Sequence, residues 1–308
     1  SLCGVTGLKP TYGRASRFGL ISMTSSTDVP GPITKTVEDA AIILKAIAGS
    51  DKYDATAVNL PIGDYAGREE ENIKGLKIGL PKEYFTDGVD HHVSGAAHTA
   101  IKVLEQLGAE FKEVSLPHTK YGVPVYYIIT PSEVSSNLAR FDGIRYGFSD
   151  KEARDLFSIY AKSRGRGFGP EAKRRIMLGT YVLSAGYFDA YYLQAQKVRT
   201  IIKKEMDKVL EEVDCLLTPT AARLAFKIGE QSSDPLKMYL EDIFVTGASL
   251  AGLPAISIPC GFAKPKDGQG ELPIGMQLIG GRFDEGTLFK AGRVYQANTE
   301  WHKRKPEV

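Results

Sequence analysis

The sequence has 308 residues, 43% of them hydrophobic and 25% charged, enough apolar material for a large core, which excludes intrinsic disorder. Thirty-nine Lys and Arg against thirty-seven Asp and Glu leave a net charge of +2, a balance that needs neither nucleic acid nor an acidic membrane to neutralise it. No apolar run approaches the ~20 residues of a membrane span; the nearest, 40–48, is broken by Lys45. Cys3, Cys215 and Cys260 are odd in number, far apart and without a CxxC pair, which argues against a disulfide framework or a zinc site. A reducing compartment follows, the cytoplasm or an organelle matrix.

The chain opens on Ser1 with no initiator methionine and no charged leader, so it is expected to begin inside a folded unit. Residues 1–35 are punctuated by Gly and Pro and predict loops with short strands at most. Thr36 then caps a helix, with Asp39 in the capping-box position, Gly49 as the stop, and Ala40, Ala41, Ile43, Leu44 and Ile47 as its buried stripe. A strand at 76–80, a helix at 92–107 and a strand at 111–116 make a βαβ unit. Residues 130–212 read as mostly helical, with Pro131 and Pro170 at first-turn positions and one long amphipathic helix over 187–213. A short strand at 215–217, a helix at 235–250, strands at 255–259 and 274–279, and a helix over 284–298 complete the pattern. The expected class is α/β, a mixed β-sheet core covered by helices. Length alone allows two domains, but the pattern reads as one, 1–308, split by a helical insertion at about 120–212.

The familiar motifs fail: there is no G-x-S-x-G elbow, P-loop, HExxH, or GxGxxG after a strand. The stretch 165–169, Gly-Arg-Gly-Phe-Gly, lacks the preceding strand of a phosphate loop and reads as a mobile loop. His91 and His92 are adjacent, so they point ~100° apart on a helix, and no third metal ligand is evident. His118 and His302 need no special role. The basic run 162–175 reads as a solvated face, with an RNA-bearing partner as the sharper alternative.

Two positions stand out physically. Asp242 lies in a helix that is apolar nearly all round, either at the edge of a narrow wet stripe marked by Lys237 and Glu241 or turned inward. Arg174 and Arg175 pose a similar question, because only one can face the core and periodicity does not choose between them. An inward Arg and an inward Asp together suit a zwitterion.

The segment SLCGVTGLKPTYGRASRFGL at 1–20 resembles the stretch after the nucleophile loop of the amidase signature family. SSNLARFDGIRYG at 135–147, KRRI at 173–176 with Leu178-Gly179, QKVRT at 196–200, LTPT at 217–220, LAGLP at 250–254 and PIGMQ at 273–277 extend the resemblance to essentially the whole chain. The central helices resemble the A subunits of glutamyl-tRNA(Gln)/aspartyl-tRNA(Asn) amidotransferases. Ser249, Ala222 and Thr27 depart from the common pattern.

The resemblance implies amide hydrolysis by a Ser–Ser–Lys triad, all three residues lying upstream of Ser1, so no catalytic residue is assigned here and Ser1, Ser16 and Ser22 are not substitutes. It implies a retained substrate clamp: Arg175 for the α-carboxylate of glutamine, Asp242 for its α-amino group, and Tyr126 lining the pocket. It implies a heterotrimer, in which this subunit releases ammonia and a B subunit uses ATP and Mg²⁺ to amidate Glu-tRNA(Gln) or Asp-tRNA(Asn). A C subunit wraps the glutaminase, tRNA is held mainly by B, and no cofactor is bound by this chain. The competing readings are a stand-alone amidase of the same family and a non-catalytic fragment that docks to partners.

Overall fold

The computed structural model describes residues 1–65, 72–230, 238, 241–265 and 270–306. The chain folds as two compact units, one of Ser1–Phe18, Val29–Val123 and Ile201–Val308, the other of Gly19–Asp28 and Pro124–Thr200.

The first unit is built on a mixed seven-stranded sheet. Its strands are β1 (Thr6–Lys9), β2 (Ile33–Thr34), β3 (Lys77–Pro81), β4 (Glu110–Val114), β5 (Cys215–Pro219), β6 (Ala255–Ala263) and β7 (Leu272–Gly280), in the order β2-β1-β6-β7-β5-β3-β4. β3 pairs parallel with β4 and β5, and the other neighbours are antiparallel. The helix α2 (His91–Gln106) makes the crossover from β3 to β4, as the strand–helix–strand spacing predicts. β5 is buried at every position, the signature of a strand covered on both faces. Ile78, Leu216, Ile256, Met276 and Leu278 form the sheet's share of the core, each worth ~1.5–3 kcal/mol when fully buried. The expected mixed α/β architecture is the one observed.

Helix α1 (Val37–Ile47) starts where the capping signal places it: Thr36 Oγ1 accepts the Asp39 amide at 3.0 Å and donates to the Asp39 carboxylate at 2.7 Å. Its buried stripe is Val37, Ala40, Ala41 and Leu44, whereas Ile43 and Ile47 are exposed. The stripe is therefore rotated from the expected one. The reason is the close approach of the C-terminal helix (Glu285–Ala297), where a β-carbon on Gly292 would meet Val37 at 2.9 Å, so the contact centres on the first turn of α1. Gln296 of that helix accepts the Val37 amide at 2.8 Å and donates to Thr6 at 3.2 Å.

The second unit is helical, made by α4 (Leu156–Gly167), α5 (Pro170–Val182), and parts of α3 (Gly122–Leu138) and α6 (Gln194–Val209). The segment Gly19–Asp28 is tied to it. Ser26 donates its amide to Glu133 at 2.8 Å, Asn137 donates to the Met23 carbonyl at 3.1 Å, and Arg199 donates to Ser26 Oγ at 2.7 Å. Three expectations fail here. Pro131 lies inside α3 rather than at its start, and the Ser132 and Ser135 hydroxyls bond nearby helix carbonyls. The long helix over 187–213 is a π-helical turn, Phe188–Leu193, followed by α6. Residues 165–167 end α4 and Gly169 caps α5, so the glycine-rich stretch is helix end and cap, not a free loop.

Candidate functional site

On α5, Glu171 is the first-turn acid, and Arg174 and Arg175 follow at the i+3 and i+4 positions that share its face. Arg175 Nε donates to Glu171 Oε1 at 2.7 Å, and Arg174 pairs with Oε2 of the same carboxylate. The Arg175 side chain is 20% exposed and Arg174 34%, so Arg175 is the more buried of two arginines that share one carboxylate. Burial alone would weaken the Arg175 charge. The Glu171 hydrogen bond overcomes it, helped by Tyr126 and Tyr127 nearby, and the guanidinium pKa moves upward. Tyr126 and Tyr127 project from α3 with their rings 5.1 Å apart and nearly perpendicular. The structure thus brings Tyr126 and Arg175 together within one unit.

Asp242 belongs to the other unit and is described there. Of the helix expected at 235–250, Met238 is helical and a helix runs over Thr246–Ala251. Residues 241–245 form a turn, and Pro235, Leu236, Lys237, Tyr239 and Leu240 lie outside the described residues. Asp242 is therefore on a turn that leads into a short helix, half-buried, with its carbonyl accepting the Val245 and Thr246 amides at 3.1 Å each. That turn is anchored by Phe244, which is buried, packs with its ring centroid 5.1 Å from that of Tyr84, and accepts the Gln277 side-chain amide at its carbonyl at 3.1 Å. Beside Asp242, Glu241 pairs with Arg223 at 3.6 Å.

The same unit holds a cavity of about 300 Å³ lined by Lys9, Thr220, Ser249, Ser257 and Gln277 among others. Thr220 and Ser257 share a hydrogen bond at 2.9 Å. Burial lowers the Lys9 ammonium to about 8, against the pull of the Glu285 carboxylate. Glu285 is fully buried, accepts the Thr11 amide at 2.9 Å and lies 3.8 Å from Arg14. Sequence reading misses Lys9, Glu171 and Glu285. Only Glu171 carries a readable signal, its spacing from Arg175.

The other flagged residues fall in ordinary settings. The His91 and His92 rings lie 3.9 Å apart, and among the described residues no group of three or more His, Cys, Asp or Glu is placed to hold a metal. His118 bonds Glu205 at 2.9 Å. In the basic run, Arg164 donates to the Leu138 and Phe141 carbonyls and Arg166 pairs with Asp150 and Glu152, so these cations are tied down locally. Among the described residues no helix is long and apolar enough to cross a membrane.

Comparison with known proteins places this fold. The sequence profile of the family named Amidase matches residues 1–289. The chain is 57% identical over all 308 residues to the A subunit of glutamyl-tRNA(Gln) amidotransferase from Carboxydothermus hydrogenoformans, and 54% identical to its counterpart from Hahella chejuensis. It spans 62% of the length of each. The crystal structure of the corresponding A subunit from Thermotoga maritima matches with a TM-score of 0.77 at 44% identity, covering 97% of this chain and 59% of that one. With the sheet shared and the profile matched over nearly the whole length, the chain belongs to the Amidase family.

Proposed function

We propose that these 308 residues are the C-terminal portion of a single amidase domain, the glutaminase subunit of a tRNA-dependent amidotransferase. The observation that carries the reading is 57% identity, end to end, with the A subunit of a glutamyl-tRNA(Gln) amidotransferase. In this reading Arg175, steadied by Glu171 and flanked by Tyr126, receives the α-carboxylate of glutamine. Asp242 receives the α-ammonium, which leaves the side-chain amide for the nucleophile.

The Ser–Ser–Lys triad lies outside these residues: one serine attacks the amide carbon, the second relays its proton, lysine is the base, and ammonia leaves. The ammonia passes to a B subunit, which uses ATP and Mg²⁺ to convert Glu-tRNA(Gln) to Gln-tRNA(Gln), or Asp-tRNA(Asn) to Asn-tRNA(Asn). A C subunit completes the heterotrimer. tRNA contact falls mainly to B, no residue here is assigned to ATP or metal, and the compartment is the cytoplasm.

The test is ammonia release from glutamine by the chain alone and by the full-length subunit containing it. The chain alone should release none. In the full-length subunit, charge-assisted hydrogen bonds of ~1.5–3 kcal/mol each mean that Arg175→Ala or Asp242→Asn weakens glutamine use roughly ten- to hundredfold. Turnover of a small uncharged amide should change little. A full-length protein that prefers the uncharged amide is a stand-alone amidase, and the amidotransferase reading falls.

A further inference from the structure

The helical unit carries an exposed aromatic face that the proposed clamp does not use. Met177 and Tyr181 are one turn apart on α5, 74% and 51% exposed. Gly186, at φ +85°, turns the chain back so that Tyr187 stacks on Tyr181 with ring centroids 4.4 Å apart and planes 34° from parallel. Tyr191, one turn further on, stacks on Tyr187 at 5.8 Å and 24°. Exposed Tyr and Met side chains are the composition of an interface centre.

Charge selects the partner's character. The helical unit holds twelve Lys and Arg against eight Asp and Glu, whereas the rest of the chain holds twenty-seven against twenty-nine. Arg174 lies three residues before Met177 and seven before Tyr181, on the same face of α5. We propose that the Met177–Tyr181–Tyr187–Tyr191 face docks a partner protein whose contact surface is apolar at its centre and acidic at its rim. A nucleic acid fits less well. Tyr187 lies against two other rings, Tyr181 and Tyr191, which leaves less of it open to stack on a base.

This inference rests on the reading of the chain as one member of a multisubunit complex, and the experiment separates the two. The full-length subunit, wild type and Met177→Glu/Tyr191→Glu, is titrated with the purified B and C subunits, with glutamine hydrolysis and melting temperature read in parallel. The double variant should assemble about thirtyfold more weakly, with hydrolysis and melting temperature unchanged, and Met177→Lys should weaken assembly less than Met177→Glu. Assembly equal to wild type overturns the inference alone. A wild-type protein that does not assemble overturns the reading as a complex member and the inference with it. Weaker tRNA binding with intact assembly assigns the face to nucleic acid and overturns the inference. A melting temperature lowered by several degrees with assembly intact assigns the face to the protein's own chain, and also overturns it.

Discussion

Arg175 donates Nε–H to Glu171 Oε1 at 2.7 Å, and its two terminal nitrogens lie outside that bond. One edge of the guanidinium is held by the protein, and the fork that would grip a ligand carboxylate is not consumed in holding it. In the proposed clamp Glu171 is accordingly a positioning residue. Glu171→Ala should raise KM for glutamine and leave kcat for an uncharged amide alone. The pair is partly exposed, so the loss is about 1 kcal/mol at most, roughly fivefold in KM. Arg174→Ala, at the more exposed neighbour, should have no effect on KM. Kinetics showing the reverse order would move the clamp by one residue.

The backbone of Gly179 meets the carbonyl of Pro131 closely enough that a β-carbon there would overlap it, and would lie 2.8 Å from the Ser135 side chain. Two backbone segments, not a flexible side chain, set this contact. Gly179→Ala should therefore destabilise the α3–α5 packing by about 1–3 kcal/mol despite the higher helix propensity of alanine. A thermal melt unchanged from wild type would show that the helices separate freely.

What the sequence reveals depends on how local the cause is. The Thr36 cap, the crossover through α2 and the hairpin of β6 and β7 are written within a few residues and follow the pattern. The placement of β1 between β2 and β6 is not, because it pairs Gly7 with Ser257 across most of the chain. The turn under Asp242 reads as helix because its apolar residues satisfy helical spacing, while Phe244 is in fact fixed by Tyr84 and Gln277 from distant segments. The same distance hides the buried charges: Glu285 meets Thr11 across 274 residues. The candidate site is half legible, since the spacing of Glu171, Arg174 and Arg175 is local to one helix whereas their relative burial is not.

That buried charge gives a third expectation. Glu285 is inaccessible to water, and Arg14, 3% exposed, draws on it and on Tyr65 and the Pro61 carbonyl. Removing one partner of such a pair leaves the other buried without compensation, at a cost of roughly 3–5 kcal/mol. Glu285→Ala should fall in that range. Glu285→Gln should cost less, because it can still accept the Thr11 amide. Urea denaturation of both variants decides it, and equal loss would mean that the charge, not the hydrogen bond to Thr11, is what matters.

Lys9 gives the last expectation, in pH. Burial holds its ammonium near 8 in the folded chain, below the ordinary lysine value of 10.5. Below pH 8 both folded and unfolded chains carry the proton, and the contribution of Lys9 to stability is constant. Between about 8 and 10.5 the folded chain has released it while the unfolded chain still binds it, so stability rises with pH. The slope reaches at most about 1.4 kcal/mol per pH unit. Lys9→Met keeps an unbranched side chain and lacks the titration. Wild type should therefore gain stability relative to Lys9→Met as pH climbs from 8 to 10, with no relative change between 6 and 7.5. Other groups that titrate in this range are common to both proteins and cancel in the difference. Denaturation at half-unit pH intervals measures it. A flat difference across the whole range would mean that Lys9 is solvated and that the cavity beside Thr220 and Ser257 is open to water.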